Sequence, residues 1–164
     1  MYKRILVPLD GSNLAETVLP VACEVARNFD ATLVFLNILE KDGSGTIHGQ
    51  RHLASTGEAC EYLEKLALIY RAQGFNVETE AHEARESDVA RSISGHALEL
   101  KIDLVVLCAH GNGGLRDVFI GGIAQQVIQH ETTPVLFIRP EKMEGTPAKP
   151  WKTVLVPLDG STMH

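Results

Sequence analysis

Three short stretches hold the residue types that could do chemistry: PLDGS at 8–12, NILE at 37–40 and CAHGNGG at 108–114, the last followed by the paired glycines Gly121 and Gly122. Asp10 directly follows an apolar run, where its carboxylate can accept from ribose hydroxyls or hold a metal-bound water. The same residue can instead cap the first turn of a helix, because Asp, Ser and Asn all satisfy free backbone N–H groups there. The glycines of HGNGG permit positive φ and let backbone N–H groups come close to an anion. A helix starting near Gly121 would aim its free N–H groups at the same space, although as a plain turn the stretch needs no ligand. His110 stands at the mouth of such a pocket. His48 and His52 are four residues apart, but they lie in a glycine-rich stretch with no third ligand, too few for zinc. No Ser-His-Asp order, nucleophile elbow or Walker A loop occurs.

These stretches sit at the ends of predicted strands. RILVPL (4–9), ATLVFLNIL (31–39), DLVVLCA (103–109) and PVLFI (134–138) are continuous apolar runs, as strands buried on both faces require. FNVETEAHE (75–83) alternates instead and is predicted at a sheet edge. Between the strands lie helical patterns: Leu14, Val18, Val21 and Val25, with Pro20 expected to kink the run; Ala59, Leu63, Leu66, Ala67 and Tyr70, closed by Gly74; and Val89, Ile93, Ala97 and Leu100. A short helix is expected from about Gly121 to His130, and residues 40–53 read as a mobile loop. Alternating strands and helices predict a parallel sheet covered on both faces. In such sheets ligands bind beyond the carboxyl ends of the strands, where strand order reverses. A pocket bordered by Asp10, Gly111 and Gly121 is therefore expected.

The apolar fraction of 45% suffices for a full core. A net charge of -6 argues against a nucleic-acid surface, which needs clustered Lys and Arg. The apolar runs are too short to span a bilayer, and the broken apolar start is no signal peptide. Cys23, Cys60 and Cys108 form no spacing motif; they read as small buried hydrophobes in a reducing cytoplasm.

KTVLVPLDGS (152–161) repeats KRILVPLDGS (3–12) at eight of ten positions. The organisation read from this is one α/β domain over 1–140, a Pro- and Gly-rich linker over 141–151, and the start of a second copy over 152–164. A tandem protein of this kind would run to roughly 280–300 residues.

KRILVPLDGS, DLVVLCAHG and GGIAQQVIQHETTPVLFIRP, in that order and spacing over residues 3–140, resemble a universal stress protein (UspA-like) domain. The resemblance implies an open five-stranded parallel sheet with helices on both faces, a Rossmann-like α/β fold. One branch of that family binds ATP through a G-x2-G-x9-G-[ST] loop; another lacks the loop and binds no nucleotide. Here Gly111 and Gly121 keep the nine-residue gap, but Cys108 replaces the first glycine and Gly122 the closing hydroxyl residue. By the same resemblance Pro8, Leu9, Asp10, Ile38, Leu107, His110, Gly111, Gly121, Gly122 and Ile123 would line a site for ATP or AMP, with magnesium on the phosphates. Read without a ligand, the apolar members of that set are ordinary core. The implied activity is a stress-response switch or sensor, with at most slow ATP hydrolysis. The alternatives are a dimerising module with an empty pocket, or an ATP pyrophosphatase, for which PLDGSN lacks the Ser-Gly-Gly run. Pairing of strand 134–138 with a second domain or a second copy is expected from the resemblance.

Overall fold

The computed structural model describes residues 1–39, 46–47, 50–51, 53, 55–84, 88–108, 125–127, 129 and 132–139. Five strands form one parallel sheet: β1 (Arg4–Pro8), β2 (Thr32–Leu39), β5 (Val77–Glu83), β6 (Leu104–Cys108) and β7 (Val135–Ile138), in the order β5-β2-β1-β6-β7. Two further strands, β3 (Thr46–Ile47) and β4 (Gln50–Arg51), make a two-residue antiparallel ladder inside the segment read as an open loop. The β-branched pair Thr46-Ile47 favours extended backbone.

Each face of the sheet has its own core. On one face Ile5, Val7, Leu33, Phe35 and Val106 pack against α2 (Leu19–Phe29) and α3 (Thr56–Ala72). On the other, Leu6, Val34, Leu36, Val105 and Leu107 pack against α4 (Val89–Glu99) and Val127. Residues 125–127 and 129 are helical, inside the short helix expected there.

The first helical run departs from its periodic reading. It is split into α1 (Asn13–Glu16) and α2, with Pro20 in the first turn of α2 and not inside a kinked helix. A missing N–H costs nothing at that position. The split leaves Leu14 and Val21 only half-buried, whereas Leu19, Ala22 and Ala26 carry the packing. The second helix follows its pattern. Gly74 (φ +89) donates to Arg71 O at 2.9 Å and Phe75 to Tyr70 O at 3.1 Å, the two bonds of a Schellman cap. The Phe75 and Tyr70 rings meet at 6.3 Å, closing that cap with an apolar contact.

The amino end of the sheet is tied by charge. Arg4 binds Glu78 through two nitrogens at 2.9 and 2.6 Å and donates to Leu100 O at 2.9 Å, joining β1, β5 and the end of α4. The Arg4 hydrogen bond holds the Glu78 carboxyl below its ordinary range. Asp103 accepts from the backbone N–H groups of Lys3 and Arg4 at 2.7 and 2.9 Å, and these bonds lower its pKa as well.

Candidate functional site

The sheet order reverses at β1: β2 and β5 lie on one side, β6 and β7 on the other. Pro8 pairs with Leu36, and the β1–β6 register joins Ile5 to Leu104 and Leu6 to Val105. Leu9 and Asp10 therefore leave the sheet beside the end of β6, where Leu107 and Cys108 stand. Ile38 lies near the end of β2, half-buried against the α4 face. Pro8, Leu9, Asp10, Ile38 and Leu107 thus fall on three neighbouring strand ends; Leu9 and Leu107 are largely buried and serve as core. His110, Gly111, Gly121, Gly122 and Ile123 lie outside the described residues, as do His48, His52 and residues 141–164.

Asp10 does not cap the helix. Its Oδ1 accepts from Ser12 N at 2.9 Å, and Ser12 is the cap, with Oγ accepting from Ala15 N at 3.1 Å. The helix cap thus sits two residues later than the capping reading placed it. The Asp10 side chain is half-buried, and its second oxygen has no partner among the described residues. Gly11 makes the turn at φ +85. A Cβ at Gly11 would come within 3.1 Å of Leu53 Cγ and 3.3 Å of Cδ1. Gly11→Ala is accordingly expected to cost about 1–2 kcal/mol in backbone strain and to displace Asp10. Urea melts of Gly11→Ala and of Gly11→Ala with Leu53→Ala separate the two causes. The second change relieves the contact but not the strain, so full recovery would contradict the φ argument.

Beyond these strand ends the structure gathers residues that the sequence did not single out. Tyr62 of α3 donates from its hydroxyl to Glu16 Oε1 at 2.9 Å, and burial, with Glu16 beside it, raises its pKa. Thr17 donates to Leu14 O at 2.6 Å and lies 3.8 Å from Cys108 Sγ, which brings the sulfur to the end of α1. Glu16 and Tyr62 fall between periodic apolar positions, so pattern reading passes them over. Asn37 is a single polar residue in a buried run; its amide donates to Leu9 O at 2.7 Å.

The thiols differ from one another. Cys23 is buried and pushed up to about 11 by that burial, while Cys108 is half-buried and raised for the same reason, opposed by its Thr17 contact. Cys60 is exposed on α3, contrary to the expectation that all three are core. A raised pKa leaves little thiolate, so neither Cys23 nor Cys108 is set up as a nucleophile. Among the described residues, no group of three or more His, Cys, Asp or Glu could hold a metal ion. An open groove of about 360 Å³ lies at the opposite end of the sheet, lined by Thr32, Arg71, Phe75 and Asn76 among others. Arg71 there is already bound to Val77 O and Glu64, so the groove offers no unengaged cation.

In open α/β sheets ligands bind beyond the strand ends where the order reverses, which here is the carboxyl end of β1. Comparison with known proteins narrows the fold class. The model of the universal stress protein family matches residues 1–139, and the chain belongs to that family. A universal stress protein of Methanocaldococcus jannaschii is 27% identical over 152 residues, covering 88% of this chain and 86% of the relative. One from Bacillus subtilis is 25% identical over 151 residues, covering 85% and 100%. Among solved structures, the universal stress protein from Archaeoglobus fulgidus in complex with dAMP matches with a TM-score of 0.60 at 25% identity, over 83% of this chain and 97% of that one. Among the described residues no helix is long and apolar enough to cross a membrane.

Proposed function

We propose that this domain binds an adenine nucleotide, ATP or AMP, across the carboxyl ends of β1, β2 and β6, and acts as a cytoplasmic stress-response module and not as a fast enzyme. The observation that carries this reading is Asp10, anchored through one oxygen at the strand-order reversal, its other oxygen without a partner among the described residues and suited to accept from ribose hydroxyls. The relative solved with dAMP supports the ligand class. The phosphates, with any magnesium, would lie toward Gly111, Gly121 and Gly122. A second reading, an interaction module without nucleotide, draws on Cys108, whose side chain occupies a position that a nucleotide loop keeps bare. Its sulfur contacts Thr17, however, so α1 accommodates the bulk. In either reading the edge strand β7 pairs with a second domain or a second copy.

Titration calorimetry with ATP, AMP and magnesium tests the proposal. Gly122→Ser restores a hydroxyl donor to a charged phosphate oxygen, worth roughly 1.5–3 kcal/mol, and should tighten ATP about ten- to hundredfold. Absence of binding below millimolar in both the wild type and this variant would hand the function to the interaction reading.

A further inference from the structure

Asn37 is the one buried polar residue among the described residues, 3% exposed, and it directly follows Leu33–Leu36, all completely buried. Its Nδ2 donates to Leu9 O at 2.7 Å, while its buried Oδ1 has no partner among the described residues. An unpaired buried acceptor is unfavourable; an apolar side chain of similar size would avoid it but leave Leu9 O without this donor. Apolar packing therefore does not account for an asparagine here. Its connections do. The N–H of Leu9 is held by Leu36 O at 2.8 Å, so β2 grips Leu9 on both sides, through backbone at one end and through Asn37 at the other. The next residue is Asp10, which binds Ser12 N, and Ser12 in turn caps α1.

We infer that Asn37 is a positioning residue, whose amide fixes the Leu9–Asp10 peptide and so presets the Asp10 carboxylate at the strand-order reversal. The ligand in this inference rests on the nucleotide reading; the geometry does not. A local rule broken at a strand end, amid otherwise consistent apolar packing, is where function rather than stability is expected to have set the residue.

The test uses the full chain, with Asn37→Leu, Asn37→Asp and, as a control, Val77→Ala, which removes buried volume at the opposite end of the sheet. Amide exchange followed by NMR is expected to show Ser12 exchanging at least about tenfold faster in Asn37→Leu, with Ile5 and Val34 unchanged. AMP affinity by equilibrium dialysis should fall about tenfold in Asn37→Leu and hold in Val77→Ala. The aspartate variant supplies a rescue. Burial raises its pKa, so on going from about pH 8 to about pH 5 its carboxyl gains a proton that can replace the amide donor to Leu9 O. Ser12 protection and AMP affinity should then return in Asn37→Asp relative to wild type at the same pH. Should Asn37→Leu fail to fold, this titration decides alone. Unchanged Ser12 exchange, a uniform rise at Ser12, Ile5 and Val34, or no recovery of Asn37→Asp at low pH overturns the inference. If wild type binds no nucleotide the functional reading falls, and Ser12 exchange alone judges Asn37.

Discussion

Phe35→Ala should lower the unfolding free energy by about 3–5 kcal/mol, the range for deleting a buried aromatic ring. Phe35 is completely buried on β2, between Val7 of β1 and Thr79 of β5. Its ring meets Tyr70 of α3 edge-on, with centroids 5.8 Å apart and planes at 85°, a favoured aromatic geometry. No small side chain can fill that space without moving α3, whose cap fixes it through Gly74 and Phe75. Domains of this size have about 5–15 kcal/mol in total, so the variant should sit near the edge of folding. Its melting temperature should drop by roughly 10 °C. Phe35→Leu, which keeps most of the volume, should cost markedly less. Denaturant titration giving a loss below about 1 kcal/mol for the alanine variant would mean that α3 collapses readily onto the sheet, contrary to the packing described.

A lysine on β7 should leave the protein monomeric. Among the described residues β7 pairs only with β6 and forms one edge of the sheet. All four of its residues, Val135 to Ile138, are apolar and half-exposed. An apolar edge with free backbone groups invites another strand, and a second copy of the same strand is the proposed occupant. In a two-fold pairing one substitution enters the interface twice, and like charges brought together there cost several kcal/mol. Leu136→Lys or Ile138→Lys should therefore weaken self-association at least about a hundredfold. Sedimentation velocity of wild type at micromolar concentration should show a dimer. A wild type that stays monomeric at high concentration, or lysine variants that still dimerise, would refute the pairing.

What the sequence revealed follows from which interactions leave a periodic trace. The parallel strands appear as unbroken apolar runs because both faces are covered, and β5 appears as an alternating run because it is an edge. Gly74 announced its helix end because only a residue tolerant of positive φ closes a Schellman cap. The first helix was misplaced because Leu14, Val18, Val21 and Val25 keep helical spacing straight across Pro20, while the chain restarts its helix at that proline. Strand ends located Pro8, Leu9, Asp10, Ile38 and Leu107 near one another. The Tyr62–Glu16 bond and the Asn37 clamp left no such trace, since each is a single contact between elements distant in the chain. The bond from Ser12 to Asp10 was not legible, because PLDGS offers two residues, Asp10 and Ser12, equally able to cap.

The position of β1 at the centre of the sheet also dictates an order of assembly. β1, β2 and β5 follow one another closely in the chain, and their contacts close short loops. The seam between β1 and β6 joins Ile5 to Leu104, across some hundred residues. Loop closure of that span is entropically unfavourable, and distant parallel pairings are the slow ones. As the chain emerges from the ribosome, the β1-β2-β5 half can form while the other edge of β1 waits, apolar and unpaired, for β6 to arrive. The cleft between the ends of β1 and β6 is thus a late seam, and a molecule that bridges it would act on folding as well as on the finished domain. Refolding in the presence of such a molecule should therefore shorten the time during which the open edge of β1 can find the wrong strand.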